Sequence, residues 1–499
     1  MELGELLRFS GLSAKADCSP EFWDANISDI TTDSREVNEG SLFVAMPPYG
    51  NDGEEYLPNA LERGAAAYLV HSEQALQMVK DLGRPVLRFD QGEPFETALA
   101  AIARAFYGDP SMNLKMIAVT GTNGKSTCCW WLRQALEWLG ERSAYLGTLG
   151  IGFGDKLKPA ANTTPFSLQL AKTVAQLSAE GAEALCMEAS SHALAQHRID
   201  SLSFDLLGFT NLTPEHLDFH GTMDEYCAAK SRLFSEPRLH KSNCKGAIMM
   251  GSEYSQRVMA SSKVPTVAVN IGDGPEFVAI PLQVDVSAVE AELQFEGEKA
   301  LLNLPIGGMI NLENAALCAA LLWQYGFALK DACAALNTVK PAPGRFESVV
   351  LPRGVTVVVD YAHTSDAISK LLRSVREVSR GKVILVFGCG GERDSTKRGP
   401  MMRAGLEGAD HVVVTTDNPR NEPLDSILSD MLADVEKDDS FNVIRDRQDA
   451  VKWALELAKE GDVVVMAGKG HEPYQMIGTE KLPWSEWGAV EAAEKEICD

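Results

Sequence analysis

The stretch Val-Thr-Gly-Thr-Asn-Gly-Lys-Ser-Thr occupies residues 119–127, between the apolar run 116–119 and an amphipathic helical pattern. Its order is strand, glycine-punctuated turn, helix, which is the architecture of a phosphate cradle. Gly121 and Gly124 admit backbone angles closed to other residues, so the N–H groups of Thr122, Asn123 and their neighbours can converge on one phosphate. Lys125 brings a point charge, and Ser126 or Thr127 a hydroxyl for Mg²⁺. The spacing departs from the ordinary P-loop, because Val119 stands where that pattern has glycine. A plain strand–turn–helix junction is the alternative, but three correct elements in order favour ATP-dependent chemistry.

Working outward, the chain has 499 residues, which predicts about three domains of roughly 150 residues each. Lys and Arg number 46 against 70 Asp and Glu, a formal net charge of −24. That balance argues against nucleic acid or an anionic membrane as partner. An anionic nucleotide then needs local basic pockets. The ten cysteines form no C-x-x-C pair, so reduced thiols in a cytoplasmic enzyme are expected, without a zinc site. The first residues show no secretory signal, and no apolar run approaches the ~18 residues of a membrane span. The expected state is a monomer.

The pattern is α/β throughout. Residues 1–109 carry strand-like runs at 41–46, 65–70 and 86–90 and helical patterns at 56–64 and 94–107, a small N-terminal α/β domain closed by Gly108-Asp109-Pro110. Residues 110–341 alternate apolar strands (184–187, 204–209) with helices (167–179, 311–325), the mark of a mostly parallel sheet in a central P-loop-type ATPase domain. Val278, Ile280, Leu282, Val284 and Val286 alternate with other residues, predicting strands with one solvated face. After the break Pro341-Ala342-Pro343-Gly344, residues 342–499 repeat strand and helix (355–360, 366–378, 383–387, 400–406, 411–415, 424–435, 441–444, 447–459, 463–467). That predicts a doubly wound, Rossmann-like C-terminal domain.

Chemistry-bearing residues follow predicted strands, where open parallel sheets gather ligands. Glu188 opens E-A-S-S-H after one strand and is placed to hold Mg²⁺ beside the cradle, unless it only caps the next turn. His216 lies in T-N-L-T-P-E-H-L-D after another, and Lys230 on the helix behind it; alone, such a His is usually structural and such a Lys solvated. Asn162-Thr163-Thr164-Pro165 reads as a helix N-cap, and an anion site as well. Asp33-Ser34-Arg35 alone is a turn. Gly388-Cys-Gly390-Gly391, Asp417-Asn418-Pro419-Arg420 and Gly468-Lys-Gly470-His471-Glu472 each follow a strand, and G-x-G-G lacks full dinucleotide spacing.

Taken together, T-G-T-N-G-K-S-T, E-A-S-S-H-A-L, T-N-x-x-x-x-H-x-D with Y-x-x-A-K, D-S-R and D-N-P-R resemble the Mur ligases, and more distantly their folate-polyglutamylating relatives, over nearly the whole chain. The resemblance implies an ADP-forming ligase that joins an amino acid to a carboxylate through an acyl phosphate. Its catalytic residues would be Lys125, Glu188, His216 and Lys230. Mg²⁺ would be held by Ser126, Glu188, His216 and a carbamylated Lys230. ATP would lie against residues 121–127, Asn311, Arg345 and Asp360, between the central and C-terminal domains. The N-terminal domain would bind a UDP-N-acetylmuramoyl dipeptide through Thr32 and Ser34, near the loop Tyr49-Gly50-Asn51. Asn162, Thr163, Thr164, Ser190, Gln196 and Arg198 would hold the rest of that substrate. Arg393, Asp417, Asn418, Pro419, Arg420, Gly468 and Glu472 would bind meso-diaminopimelate, whose far carboxylate calls for the planar fork of an arginine. A lysine-adding ligase of the same family and an inactive nucleotide-binding partner subunit are the rivals. Thr364-Ser365, where the family usually has Thr-Pro, is a small departure. Without the flanking blocks, Arg420 would be read as a surface pair with Glu422.

Overall fold

The computed structural model describes residues 1–12, 16–17, 22–47, 52–89, 94–433, 435 and 440–498; Tyr49, Gly50, Asn51 and Asp90 lie outside the described residues. Among the described residues three large sheets follow one another along the chain, with a two-stranded antiparallel hairpin, Tyr474–Ile477 with Glu480–Pro483, after them. The first runs Ala16–Asp17, Val86–Phe89, Ala67–Leu69, Ser41–Val44, Asp29–Thr31, parallel except at its first pair. The helix expected over 56–64 is shorter. A 3-10 turn, Gly53–Tyr56, leads into Leu57–Glu62, with Pro58 in the first turn, where its missing N–H costs nothing.

The second sheet has ten strands. From one edge these are Glu298–Leu304, Val289–Phe295, Phe277–Val284, Thr266–Ile271, His240–Met249, Phe204–Phe209, Lys115–Thr120, Ala184–Glu188, Ser143–Gly147 and Gly150–Phe153. The seven from Phe277–Val284 to Ser143–Gly147 are parallel, and antiparallel pairs extend both edges. Register places the site. Val119 pairs with Glu188, and Thr120 with Phe209. The cradle, Glu188 and the segment carrying His216 therefore leave the sheet at one level of one edge.

Phe277–Val284 turns the opposite way from the alternation read in the sequence. Phe277 and Ala279 are buried, Val278 and Ile280 only partly, and Leu282 is exposed. The helix Met309–Tyr325 covers this face. Phe277 packs tilted against Phe295 there at 5.5 Å between ring centroids, and Phe295 meets Trp323 edge to face at 4.7 Å. An irregularity between Pro281 and Gln283 then breaks the period. Helix Lys125–Trp138 is buried on most of its surface between this sheet and Met309–Tyr325.

The third sheet runs Glu347–Val350, Thr356–Asp360, Val463–Ala467, Val383–Phe387, His411–Val414, Phe441–Val443. All but the first are parallel, giving the doubly wound arrangement. Thr364 caps the helix Ser365–Arg376 by accepting from Ala367 N, so a serine at the first position does not prevent that helix. Among the described residues no helix is long and apolar enough to cross a membrane.

Candidate active site

The cradle is a tight turn that only glycine permits at two points. Gly121 has φ 145°, and a Cβ there would lie 1.9 Å from Thr210 Oγ1. Gly124 has φ 87°, and its Cβ would lie 2.4 Å from Asn314 Oδ1. Lys125 Nζ donates to the carbonyls of Gly121 (3.0 Å) and Thr122 (2.8 Å). Behind the turn, Lys230 is 1% exposed and donates to the same Gly121 oxygen at 2.6 Å. Burial, then the nearby Lys125 charge, hold its ammonium well below the usual lysine range.

Glu188 is fully buried at the end of its strand. Its Oε1 accepts from Tyr145 (2.5 Å) and from Thr148 N (2.8 Å); its Oε2 has only the Thr148 hydroxyl, at 3.3 Å. One oxygen is thus fixed, and the other remains underused beside the cradle. His216 sits in the left-handed region (φ 56°) at the start of the short helix Leu217–His220. Burial lowers its pKa, keeping the ring neutral and able to act as a ligand. Beside it, burial and two neighbouring imidazoles push His192 down to about 4. The His192 and His216 rings meet edge to face at 4.7 Å.

A cavity of about 330 Å³ unites Thr122–Thr127, Thr148, Thr163, Glu188, Ser190, Glu215 and His216 with Asn311, Asn314, Arg345, Asp360, Tyr361 and Thr364. It lies between the second and third sheets. Thr213, on one side, donates to Asp366 on the other at 2.6 Å. Asp360 accepts from Phe346 N and Ala362 N, both at 2.8 Å, and its burial raises its pKa. Arg345 lies over the Tyr361 ring at 4.8 Å, and its Nε is buried without a partner. Gly121 and Lys230 stand behind this cavity rather than on its wall. The oxygen of Glu188, the hydroxyls of Ser126 and Thr127 and a neutral imidazole suit Mg²⁺, which keeps several waters and takes few protein ligands beside substrate phosphates. All of them line this one cavity. Among the described residues the tight group of metal-ligating side chains is Asp52, Glu54 and His71, whose atoms already bond one another, Ser72 and local backbone.

A second cavity, about 440 Å³, shares Glu215, His216, Tyr361, His363 and Thr364 with the first. Its far wall holds Arg393, Asp417, Asn418, Arg420, Gly468 and Glu472, gathered from three strand ends. Arg420 has φ 53° and aims Nη1 at Gly391 O, 2.6 Å away. It does not pair with Glu422. Arg398 takes that carboxylate at 2.6 and 2.7 Å and holds its pKa at about 2. Pro419 is buried behind this wall, and Arg393 is exposed at its rim. Lys469, to which the sequence assigned no role, lies fully buried beneath.

A third cavity, about 460 Å³, lies between the N-terminal sheet and the helix Ser167–Ala179 and includes Thr31, Thr32, Met46, Tyr56, Phe166 and Lys172. Ser34 is buried in a 3-10 turn outside its lining. Asn162 is exposed. The 162–165 segment is not an N-cap: the helix starts at Ser167 with Phe166 before it, and Thr164 instead donates to Glu188 O at 2.8 Å. Ser190 caps the next helix by accepting from Ala193 N. Arg198 holds Gln196 (2.9 Å) and Thr164 O (3.2 Å) and lies over Phe166 at 4.0 Å. Gln196 and Arg198 thus brace the 164–166 segment instead of lining any of these cavities.

A phosphate cradle facing a doubly wound domain, with a second charged cavity opening from the same wall, defines an ATP-dependent ligase. The chain belongs to the Mur ligase family, whose members act in ATP-dependent synthesis of peptidoglycan precursors. The Mur ligase middle domain matches residues 119–322, the Mur ligase glutamate ligase domain 344–470 and the Mur ligase family catalytic domain 26–107. The UDP-N-acetylmuramoyl-L-alanyl-D-glutamate–2,6-diaminopimelate ligase of Geobacillus thermodenitrificans is 37% identical over 486 residues, covering 96% of this chain and 98% of its own. A solved structure of a ligase of that name superposes with TM-score 0.72 at 28% identity, over 100% of this chain and 99% of the other. The MurF ligase of Thermotoga maritima, solved with ADP, shares the fold at TM-score 0.62 and 20% identity, over 95% and 98% of the two chains.

Proposed function

We propose that the protein joins meso-diaminopimelate to the D-glutamate γ-carboxylate of UDP-N-acetylmuramoyl-L-alanyl-D-glutamate, converting ATP to ADP and phosphate. The observation that carries this reading is the second cavity. Arg393 and Arg420 stand in the same wall as Glu472, so it offers cations for a carboxylate and an anion for an ammonium, and it opens onto the cradle. The curated relatives of this length bear that activity in their names.

A carboxylate resists attack because its charge is delocalised and its leaving group would be oxide. In the first step a γ-carboxylate oxygen bonds to the terminal phosphorus of ATP and ADP leaves, giving an acyl phosphate. In the second the amine attacks the acyl carbon, phosphate departs with the C–O bond electrons, and the amine proton is released. Lys125 turns from the carbonyls of its own loop to the phosphates and offsets the charge that builds on the transferring group. Arg345 supports the phosphates from the opposite wall, and Asn311 and Asp360 face the nucleoside. Ser126, Glu188 and His216 are the groups that would hold Mg²⁺, which when bound neutralises phosphate charge and orients the reacting oxygens.

Lys230 is read as carbamylated. Its depressed basicity favours the free amine, the form that bonds to CO₂ and loses a proton to give an anion. Lys125 stands near to balance that anion. Thr32 and its cavity are read as the nucleotide-sugar end of the substrate site. The domain limits 1–109, 110–341 and 342–499 are part of the same reading.

The test is ADP release by the purified protein with ATP, the UDP-linked dipeptide and one amino acid at a time. Meso-diaminopimelate should support it and L-lysine should not. Release with L-lysine alone would overturn the assignment.

A further inference from the structure

Lys469 is 0% exposed, yet each of its three ammonium protons has an acceptor: Asn418 Oδ1 at 2.9 Å, Glu472 Oε2 at 3.0 Å and Asp417 Oδ1 at 3.1 Å. A buried cation is tolerated when it is paired and fully hydrogen-bonded, and removing it strands the anions it faces. Here those anions belong to two of the three loops that build the acceptor cavity.

The bonds determine more than charge. Accepting from Lys469 and from Met476 N (2.8 Å) fixes the oxygen end of the Asn418 amide, so its nitrogen must face Glu472, to which it donates at 2.8 Å. Both donors reach the same Glu472 oxygen, Oε2, which leaves Oε1 as the oxygen available to a ligand. Locking Asn418 also locks the turn that continues through Pro419 into Arg420. There the backbone takes the left-handed φ of 53°, a conformation that costs energy for a non-glycine residue and persists only where surroundings impose it. Arg420 N is tied to Met476 O at 3.1 Å, the same segment that ties Asn418.

We propose that Lys469 is the positioning residue of the acceptor cavity, fixing at once the carboxylate of Glu472 that receives the amino acid's distal ammonium and the turn that aims Arg420 at its distal carboxylate. The proposal rests on the functional reading above and adds to it the group that makes the two recognition elements act as a unit. Lys469 lines neither the ATP-side cavity nor the acceptor cavity. Its effect should therefore fall on the amino acid alone.

The experiment is a double-mutant cycle in steady-state kinetics with Lys469→Met, Glu472→Gln and the pair, measuring KM for ATP, for the UDP-linked dipeptide and for the amino acid. Lys469→Met should raise KM for meso-diaminopimelate by about tenfold or more, with KM for ATP within about twofold of wild type. In the Glu472→Gln background the same substitution should cost much less, because the groups act through one network. Should Lys469→Met not fold, Lys469→Arg serves. It keeps the charge but not the three-acceptor geometry, and the amino-acid KM should still rise. An unchanged amino-acid KM, an equal rise in all three KM values, or effects that simply multiply would overturn the proposal. If the wild type accepts only L-lysine, the functional reading fails, and the same cycle run with lysine still decides the role of Lys469.

Discussion

Each half of the site stands over a fully buried lysine, and the two lysines have opposite surroundings. Lys230 faces one carbonyl oxygen, with the like charge of Lys125 nearby. Lys469 faces two carboxylates and an amide oxygen. Burial alone therefore does not decide what a lysine does. Beneath the cradle, burial with the like charge of Lys125 added to it disfavours the ammonium; beneath the acceptor cavity, two carboxylates hold the ammonium in ion pairs.

The two halves of the site should respond differently to substitution. Lys125→Ala should lower ADP formation by about 10³-fold or more, since the transferring group loses its nearest fixed cation. Turnover near wild type in the folded variant would remove the cradle from the chemistry. Lys230→Ala should lose roughly 10²–10³-fold, and Lys230→Arg should fail equally, because a guanidinium forms no carbamate. Small carboxylic acids should partly restore the alanine variant. An active arginine variant would show that only a positive charge is needed there.

On the acceptor side, Arg420→Ala should cut kcat/KM for meso-diaminopimelate by about 10²-fold and narrow its preference over L-lysine. An unchanged preference would place selectivity elsewhere. The smallest effect concerns His192. Its folded pKa of about 4 lies below the 6.5 of a free imidazole, so the unfolded chain takes up the proton first as pH falls. Stability is thus full above about 6.5 and declines toward 4. His192→Asn should remove about 1 kcal/mol of that decline after allowance for a ring that is only half buried. Identical denaturation midpoints for both proteins at pH 4.5 and 7.5, relative to each other, would contradict the shift.

The α/β class, the parallel central sheet and the doubly wound third sheet were legible because buried parallel strands read as apolar runs between helical periods. The cradle was legible because one contiguous turn supplies its backbone donors, and Gly121 and Gly124 mark it. Less could be read where the decisive partner is distant in sequence. Which face of Phe277–Val284 is buried depends on the helix Met309–Tyr325. Thr164 bonds Glu188 O, 24 residues away, and so gives up the capping role its local sequence invited. Arg398 claims Glu422 across another 24 residues. Lys469 stood in view within Gly468-Lys-Gly470-His471-Glu472, but only folding reveals that it points into the protein beneath the cavity.

The wall common to the two cavities also bears on yield. An acyl phosphate made in open water is lost to hydrolysis, and each loss wastes one ATP. Glu215, His216, Tyr361, His363 and Thr364 border both chambers, so on the proposed mechanism the activated carboxylate would form at the doorway of the amine, with almost no distance to diffuse. On the proposed mechanism this arrangement favours about one ADP per amide bond, a matter of fidelity to its fuel rather than of speed.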